Sequence, residues 1–192
     1  MPAPVPSAAP APAKGLQWEE YDAVAATILS QLDESVAFAL SQGAGAMAEK
    51  ISSLSDPLME LLCVDVRSRF ASPVHVQQCV ALLSKVVNNA KMDSNKRTVQ
   101  TGRSKVFQSL ICKEDTTRRT AYAVLKVAGF VEREAEADGG SGSSSGSGGS
   151  YIQWTRNDVS VLSIVGDTLE GAHSALLQAV EAARAWCIVH GA

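Results

Sequence analysis

The sequence is poor in aromatic residues and has no overall excess of positive charge. Phenylalanine, tryptophan and tyrosine make up 5% of its 192 residues, and the formal net charge is −3. Proteins dedicated to nucleic acid usually carry a clear excess of lysine and arginine. We therefore do not expect a nucleic-acid-binding protein, and the length fits one domain with appendages.

Catalytic signatures are also missing. The chain contains no GxSxG, HExxH, P-loop or GxGxxG motif. Its carboxylates are isolated or lie in runs such as EREAEAD, which suit a solvated strand end better than a pair for acid–base catalysis. We therefore expect a binding protein and not an enzyme.

No group of residues has the spacing of a metal site. The three histidines stand alone in the sequence, and zinc needs clustered ligands. The four cysteines form no CxxC pair: Cys63, Cys79, Cys112 and Cys187. Each lies in an apolar context, so we expect four small buried hydrophobes in a reducing compartment and no cofactor.

No charge-free run of 18 apolar residues is present, so we expect no membrane span. Residues 1–15 read MPAPVPSAAPAPAKG and lack the charged start and apolar centre of a signal peptide. Proline at every second or third position prevents a helix there. The sequence thus predicts a disordered tail over 1–15 and a cytoplasmic, or alternatively nuclear, location.

Helical spacing of apolar residues dominates the first half of the chain. Residues 16–42 carry one such pattern, which Asp33 to Ser35 could interrupt, and GAG at 43–45 should end it. Ser55-Asp56-Pro57 combines a capping residue with a proline, which is typical of a helix start. We therefore divide the chain into a helical extension at 16–55 and a main domain at 56–192.

The main domain mixes helices with short strands. Ser72-Pro73 predicts the start of a helix that ends near Asn89, and β-branched residues at 97–101 predict a strand. A short helix follows at 105–112, with Val106, Phe107, Leu110 and Ile111 on one face. A further helix begins at DTT 115–117 and ends at Gly129.

Two alternating segments, 130–134 and 151–155, predict an antiparallel hairpin. The glycine- and serine-rich insert between them, at 138–150, has nothing to bury and is predicted to be flexible. Asn157-Asp158 should cap a final helix with a long apolar stripe, in which Gly166 and Gly171 could mark a break. We expect this stripe to pack on the N-terminal helices.

One segment departs from the acidic balance of the chain. From Lys85 to Arg119 there are nine lysines and arginines against three acidic residues, a local balance of +6 in a chain of net charge −3. Such asymmetry favours an acidic partner over a face that meets only water.

Four stretches within this region and after it resemble the PUB domain, found in peptide:N-glycanase, in UBX-type cofactors and in a linear-ubiquitin ligase. They are LSKVVNN at 83–89, RTVQTGRSKVF at 97–107, TRRTAYAVLKVAGFVE at 117–132 and YIQW at 151–154. The resemblance covers about residues 56–170. It implies an α+β fold, a mostly helical bundle with a small three-stranded antiparallel sheet.

The resemblance also implies a function. PUB domains bind short acidic C-terminal or linear peptides, usually the tail of the valosin-containing AAA ATPase, in ubiquitin-linked protein quality control. Asn89 falls where the family has an asparagine that binds the peptide backbone, and Arg97, Val99 and Gly102 match the family's strand. Val86 replaces a frequent tyrosine, and Arg103 or Ser104 stands where a second asparagine is expected. The expected peptide site therefore consists of Val86, Asn89, Arg97, Val99, Gly102, Arg103 and Ser104.

Two other interpretations stay open from the sequence. A winged helix would place residues 116–128 in DNA, with Arg118, Arg119 and Lys126 as contacts. The acidic residues beyond the first hairpin strand would repel phosphate in that arrangement. The third interpretation is a helical scaffold that oligomerises through the final helix.

Overall fold

The computed structural model describes residues 15–134, 150–156 and 158–190. It is 76% helical with a small three-stranded antiparallel sheet, which confirms the predicted α+β, mostly helical fold. Residues 1–14 of the predicted tail, most of the predicted insert, and Asn157 lie outside the described residues.

Seven α-helices, three strands and one 3₁₀ turn at Ser94–Lys96 make up the described part of the chain. The helices are α1 Trp18–Ser41, α2 Gly45–Leu62, α3 Val66–Arg69, α4 Pro73–Met92, α5 Lys105–Leu110, α6 Asp115–Ala128 and α7 Val159–His190. The strands are β1 Thr98–Val99, β2 Phe130–Glu134 and β3 Ser150–Trp154. Their order is β1-β3-β2, and both pairs are antiparallel.

Helices α1 and α2 form a hairpin that corrects two expectations. Helix α1 runs unbroken through Asp33, and Gly43 with φ +73° makes the predicted turn after it. The expected helix start at Ser55 is wrong, because α2 continues through Pro57. The buried stripe of Leu54 and Leu58 spans the proline, and its burial offsets the missing backbone hydrogen bond.

One hydrophobic cluster draws buried side chains from all seven helices and from strands β2 and β3. The predicted extension therefore shares its core with the predicted main domain, and the division at residue 55 stays a prediction. On length and composition alone, α1 could cross a membrane, and this leaves the cellular location a prediction as well.

The C-terminal end of α2 is held by a buried arginine. Arg69 donates from Nη2 to the carbonyl oxygens of Glu60 at 2.6 Å, Leu61 at 3.0 Å and Val64 at 2.6 Å. Its Nη1 donates to Thr120 Oγ1 of α6 at 3.2 Å. The last carbonyls of a helix have no partner within the helix, so this side chain satisfies two of them in α2 and joins α2 to α6. Burial lowers the pKa of Arg69.

The expectation that all four cysteines are buried is wrong. Cys79 is fully buried, and burial raises the pKa of its thiol to about 12. Cys63 is exposed, while Cys112 and Cys187 are partly exposed. Cys63 follows the end of α2 directly, where the chain turns at the surface. Apolar neighbours in the sequence therefore did not distinguish the buried Cys79 from the exposed Cys63.

Helix α7 is continuous over 32 residues, so the predicted break at its glycines is wrong. It packs mainly on α4 and also on α1. A Cβ atom at Gly166 would lie 2.6 Å from Asn88 Oδ1 of α4, whereas one at Gly171 would meet nothing within 4 Å. Gly166 therefore serves the close approach of two helices. Helix α4 itself starts at Ser72-Pro73 as predicted and ends at Met92, one turn later than expected.

The sheet forms as predicted at the hairpin. Gly129, with φ +98°, ends α6 and leads into β2. Ser150 belongs to β3, so the insert was predicted one residue too long. Trp154 donates its indole N–H to the carbonyl of Ala128 at 2.9 Å, which fixes β3 against the end of α6.

The two glycines of α7 give a matched pair of variants. Gly171→Ala should raise the free energy of unfolding by about 1 kcal/mol, because alanine is the better helix former at an open position. Gly166→Ala should lose that gain, because the new methyl group displaces Asn88 and its 3.2 Å bond to Glu170. Urea denaturation followed by circular dichroism measures both. Equal stabilisation by the two variants would refute the close approach.

Candidate functional site

Residues 97–102, which follow α4, are hydrogen-bonded to strand β3 along one of their two sides. Arg97 accepts a backbone hydrogen bond from Trp154 N at 2.8 Å, and Gly102 N donates to the Ser150 carbonyl at 2.8 Å. The fully buried Thr101 adds a bond from its hydroxyl to the same carbonyl at 2.9 Å. Residues 97–102 therefore have one side on the sheet and the other side turned toward α4.

Helix α5 continues this wall. The Ser104 hydroxyl accepts from Phe107 N at 3.3 Å and so caps the helix, while its own hydrogen stays available to a ligand. Phe107 is buried as predicted, whereas Val106, which was predicted to share its face of the helix, is 55% exposed. Phe107 in this short helix and Ile111 directly after it already occupy the core-facing side, so Val106 turns outward.

The opposite wall is one face of α4. Leu82, Lys85, Val86 and Asn89 lie at helical spacing and line the same cleft as the chain after α4. Leu82 and Asn89 are half-buried, Lys85 is exposed and Val86 is 5% exposed. The side-chain amide of Asn89 makes no hydrogen bond within the part of the chain that the structure describes.

We call the space between these walls the β1 cleft. It has a volume of about 620 Å³, and its lining residues are Leu82, Lys85, Val86, Asn89, Asn95, Lys96, Thr98, Val99, Gln100, Arg103, Ser104 and Val106. We call its four aliphatic side chains, Leu82, Val86, Val99 and Val106, the apolar floor, and amides, hydroxyls and cations make up the rest of the lining. Concave apolar surfaces with a few placed polar groups are the usual form of binding sites.

Every charged residue that lines the β1 cleft is positive. Lys85 and Arg103 are exposed and form no ion pair within the described residues. The third cation, Lys96, lies 3.8 Å from Asp93, which is a weak pair at an exposed position. A ligand with negative charge therefore meets cations that are not already neutralised.

Much of the remaining basic segment is neutralised. Lys91 pairs with Asp167 at 3.2 Å and Arg119 with Glu60 at 3.9 Å. Arg118 is hydrogen-bonded to Glu132, which raises the pKa of Arg118. Among the three cations that a winged helix would direct at DNA, the ion pairs therefore engage Arg118 firmly and Arg119 only weakly.

Five of the seven predicted site residues line the β1 cleft: Val86, Asn89, Val99, Arg103 and Ser104. The other two do not. Arg97 lies over the ring of Trp154, 4.5 Å from its centroid, and its Nε is buried without a partner. Gly102 directs its N–H to β3. Both residues position the wall of the cleft and do not form its lining.

The sequence interpretation missed seven lining residues: Leu82, Lys85, Asn95, Lys96, Thr98, Gln100 and Val106. Helical spacing from Val86 and Asn89 was a signal for Leu82 and Lys85, which lie four residues before them. Asn95, Lys96, Thr98 and Gln100 carried no comparable signal. Whether their side chains face the cleft depends on how residues 97–102 pair with β3, which the sequence does not determine.

No family model matches the chain, and no curated protein or solved structure matches it. The resemblance to the PUB domain therefore stays a prediction from the residues.

A second cavity, of about 510 Å³, lies between α1 and α2 and exposes Phe38 and Met47. Its only charged lining residue is Glu34. It lacks the cations that an acidic partner requires, so the β1 cleft is the better candidate. Among the described residues, no group of three or more histidines, cysteines or carboxylates could hold a metal ion.

Two arginines of the wall should respond differently to truncation. Arg97→Ala should lower the free energy of unfolding by about 1 kcal/mol, because a cation stacked on an indole is lost. Arg103→Ala, at the open rim, should change it by less than about 0.5 kcal/mol. Thermal and urea unfolding measure both, and a larger loss from Arg103→Ala would contradict the assigned positions.

Proposed function

We propose that the protein is a peptide-binding adaptor whose β1 cleft receives a short acidic segment of another protein. The observation that carries this proposal is the lining of the cleft, in which three cations and no carboxylate surround an apolar floor. Lys85, Lys96 and Arg103 attract the acidic chain and raise the rate of encounter.

Affinity comes mainly from burial of apolar side chains. Leu82, Val86, Val99 and Val106 offer an aliphatic surface for one or two anchor residues of the peptide. Asn89 supplies an amide that can bind the peptide backbone from the α4 side. The small side chain of Val86, where the family frequently has tyrosine, leaves space for a larger anchor.

The PUB resemblance supports a more specific partner. On that basis the ligand is the C-terminal tail of the valosin-containing AAA ATPase, and the protein serves ubiquitin-linked protein quality control. An acidic peptide that ends in Leu-Tyr-Gly represents this ligand. It combines the negative charge and the apolar side chains that the β1 cleft complements.

A titration with this peptide, followed by backbone amide shifts, tests the proposal. Arg103→Glu should weaken binding about tenfold at low salt, because an attraction becomes a repulsion at the rim. Lys126→Glu is the matched control: the same change of side-chain charge sign on α6, at an exposed residue outside the β1 cleft, should alter affinity less than twofold. Added salt should reduce the difference between the two variants.

Three outcomes would count against the proposal. If Arg103→Glu and Lys126→Glu changed the peptide affinity equally, attraction by the cations of the β1 cleft would be refuted. Absence of any shift at Leu82 to Val106 would remove the site. Shifts at residues 116–128 with duplex DNA, and none with the peptide, would favour the winged helix.

The end of α7 supports a second candidate function, self-association. Ile188 and Val189 are 82% and 78% exposed, which is unusual for adjacent aliphatic residues. If this end forms an oligomer, Ile188→Asp should shift sedimentation of the protein toward the monomer at micromolar concentration. Identical sedimentation of variant and wild type would contradict self-association through α7.

A further inference from the structure

The backbone of β1 has a free edge whose direction follows from one hydrogen bond. The carbonyl of Arg97 accepts from Trp154 N at 2.8 Å, so it points toward β3. No cis peptide bond occurs in the described chain. In a trans peptide the carbonyl of one residue and the N–H of the next point in opposite directions. The N–H of Thr98 therefore points away from β3.

The antiparallel pairing of β1 with β3 shows which other backbone groups of β1 point away from β3. Thr98 lies opposite Gln153, and Val99 lies opposite Ile152. Hydrogen-bonded and non-bonded pairs alternate in an antiparallel ladder, so Val99 is bonded to β3 and Thr98 is not. It follows that the carbonyl of Thr98 and the N–H of Gln100 also point away from β3.

These three backbone groups are unsatisfied within the described part of the chain. Gln100 uses its carbonyl to accept from Arg103 N at 3.3 Å and Ser104 N at 3.1 Å, which closes the turn. No comparable bond involves Thr98 N, Thr98 O or Gln100 N. Thr98 and Gln100 are both exposed, and both line the β1 cleft.

We propose that the acidic peptide binds in the β1 cleft as an extended strand, adding a fourth strand to the sheet at the free edge of β1. This inference rests on the proposed function and specifies the conformation in which the same site binds its ligand. Thr98 exchanges both of its backbone bonds with the peptide, and Gln100 donates one more. Strand addition obtains affinity from main-chain bonds and specificity from pockets for side chains.

Charge complementarity identifies the occupant. An edge strand can pair with any extended chain, but this edge lies beside Lys85, Lys96 and Arg103 with no carboxylate in the lining. An acidic strand is attracted there, and a basic or neutral strand gains nothing from the rim. The apolar floor beneath receives side chains from one face of the added strand only, because side chains alternate along a strand.

The edge makes a sharp numerical prediction. It presents one backbone acceptor, the Thr98 carbonyl, so only one N–H of the peptide donates to the β1 strand. Replacing peptide amides one at a time by esters should therefore reduce affinity about fivefold at a single position, with smaller losses elsewhere. The probe is the acidic peptide ending in Leu-Tyr-Gly, and calorimetry gives its affinity.

A pair of variants tests the protein side. Gln100→Pro removes the outward N–H without removing an internal hydrogen bond, and should weaken binding about fivefold. Gln100→Ala keeps that N–H and loses only the lining side chain, so it should bind the peptide more tightly than Gln100→Pro does. An unchanged melting temperature shows that both variants are folded.

Upon peptide binding, amide exchange should slow at Thr98 and Gln100, while Val99 changes little because it is already bonded to β3.

The outcomes separate this inference from the function on which it rests. Binding of the peptide with no sensitive ester position and no slowed exchange at Thr98 would overturn strand addition and leave the adaptor function standing. Failure of the peptide to bind at all would overturn both. If Gln100→Pro unfolds the protein, the exchange and ester measurements on the wild type still decide.

Discussion

The β1 cleft depends on the attachment of residues 97–102 to β3. Two backbone bonds of 2.8 Å and the guanidinium of Arg97 over Trp154 hold this segment on the sheet. Because the segment is held from one side only, its outer edge and the face of α4 stay apart. The space between them, about 620 Å³, is thus maintained by interactions that lie outside it.

Contacts elsewhere in the molecule hold its helices to one another. Arg69 and Tyr21 cap the end of α2, the tyrosine by donating to the Leu62 carbonyl at 2.7 Å. Burial raises the pKa of that tyrosine hydroxyl, which keeps it a donor. Helix α7 lies along α4, with Gly166 allowing close contact. A fixed α4 presents the cations and the aliphatic residues of the cleft in one geometry, which limits the ordering cost when a ligand binds.

The sequence predicted where helices and strands begin and end better than it predicted which side chains face the core or the cleft. Ser72-Pro73, Gly129 and the alternating hairpin each carry local chemistry that determines a boundary, and each boundary was predicted to within one residue. Pro57 and Gly166 carry the same kind of local signal, yet tertiary packing overrides it, since a buried stripe continues through Pro57 and Gly166 serves a helix contact. At the site, Arg97 and Arg103 looked equivalent in the sequence. Only the position of Trp154 shows that one is structural and the other faces the cleft.

The central claim is that an apolar anchor of an acidic peptide enters the β1 cleft. The most direct measurement is a set of intermolecular NOEs between the leucine or tyrosine of the bound peptide and methyl groups of the protein. The account predicts NOEs to Val86, Val99 and Val106, which belong to the apolar floor and come from α4, β1 and α5. A bound peptide whose NOEs lead instead to α6 or to the far end of α7 would contradict it.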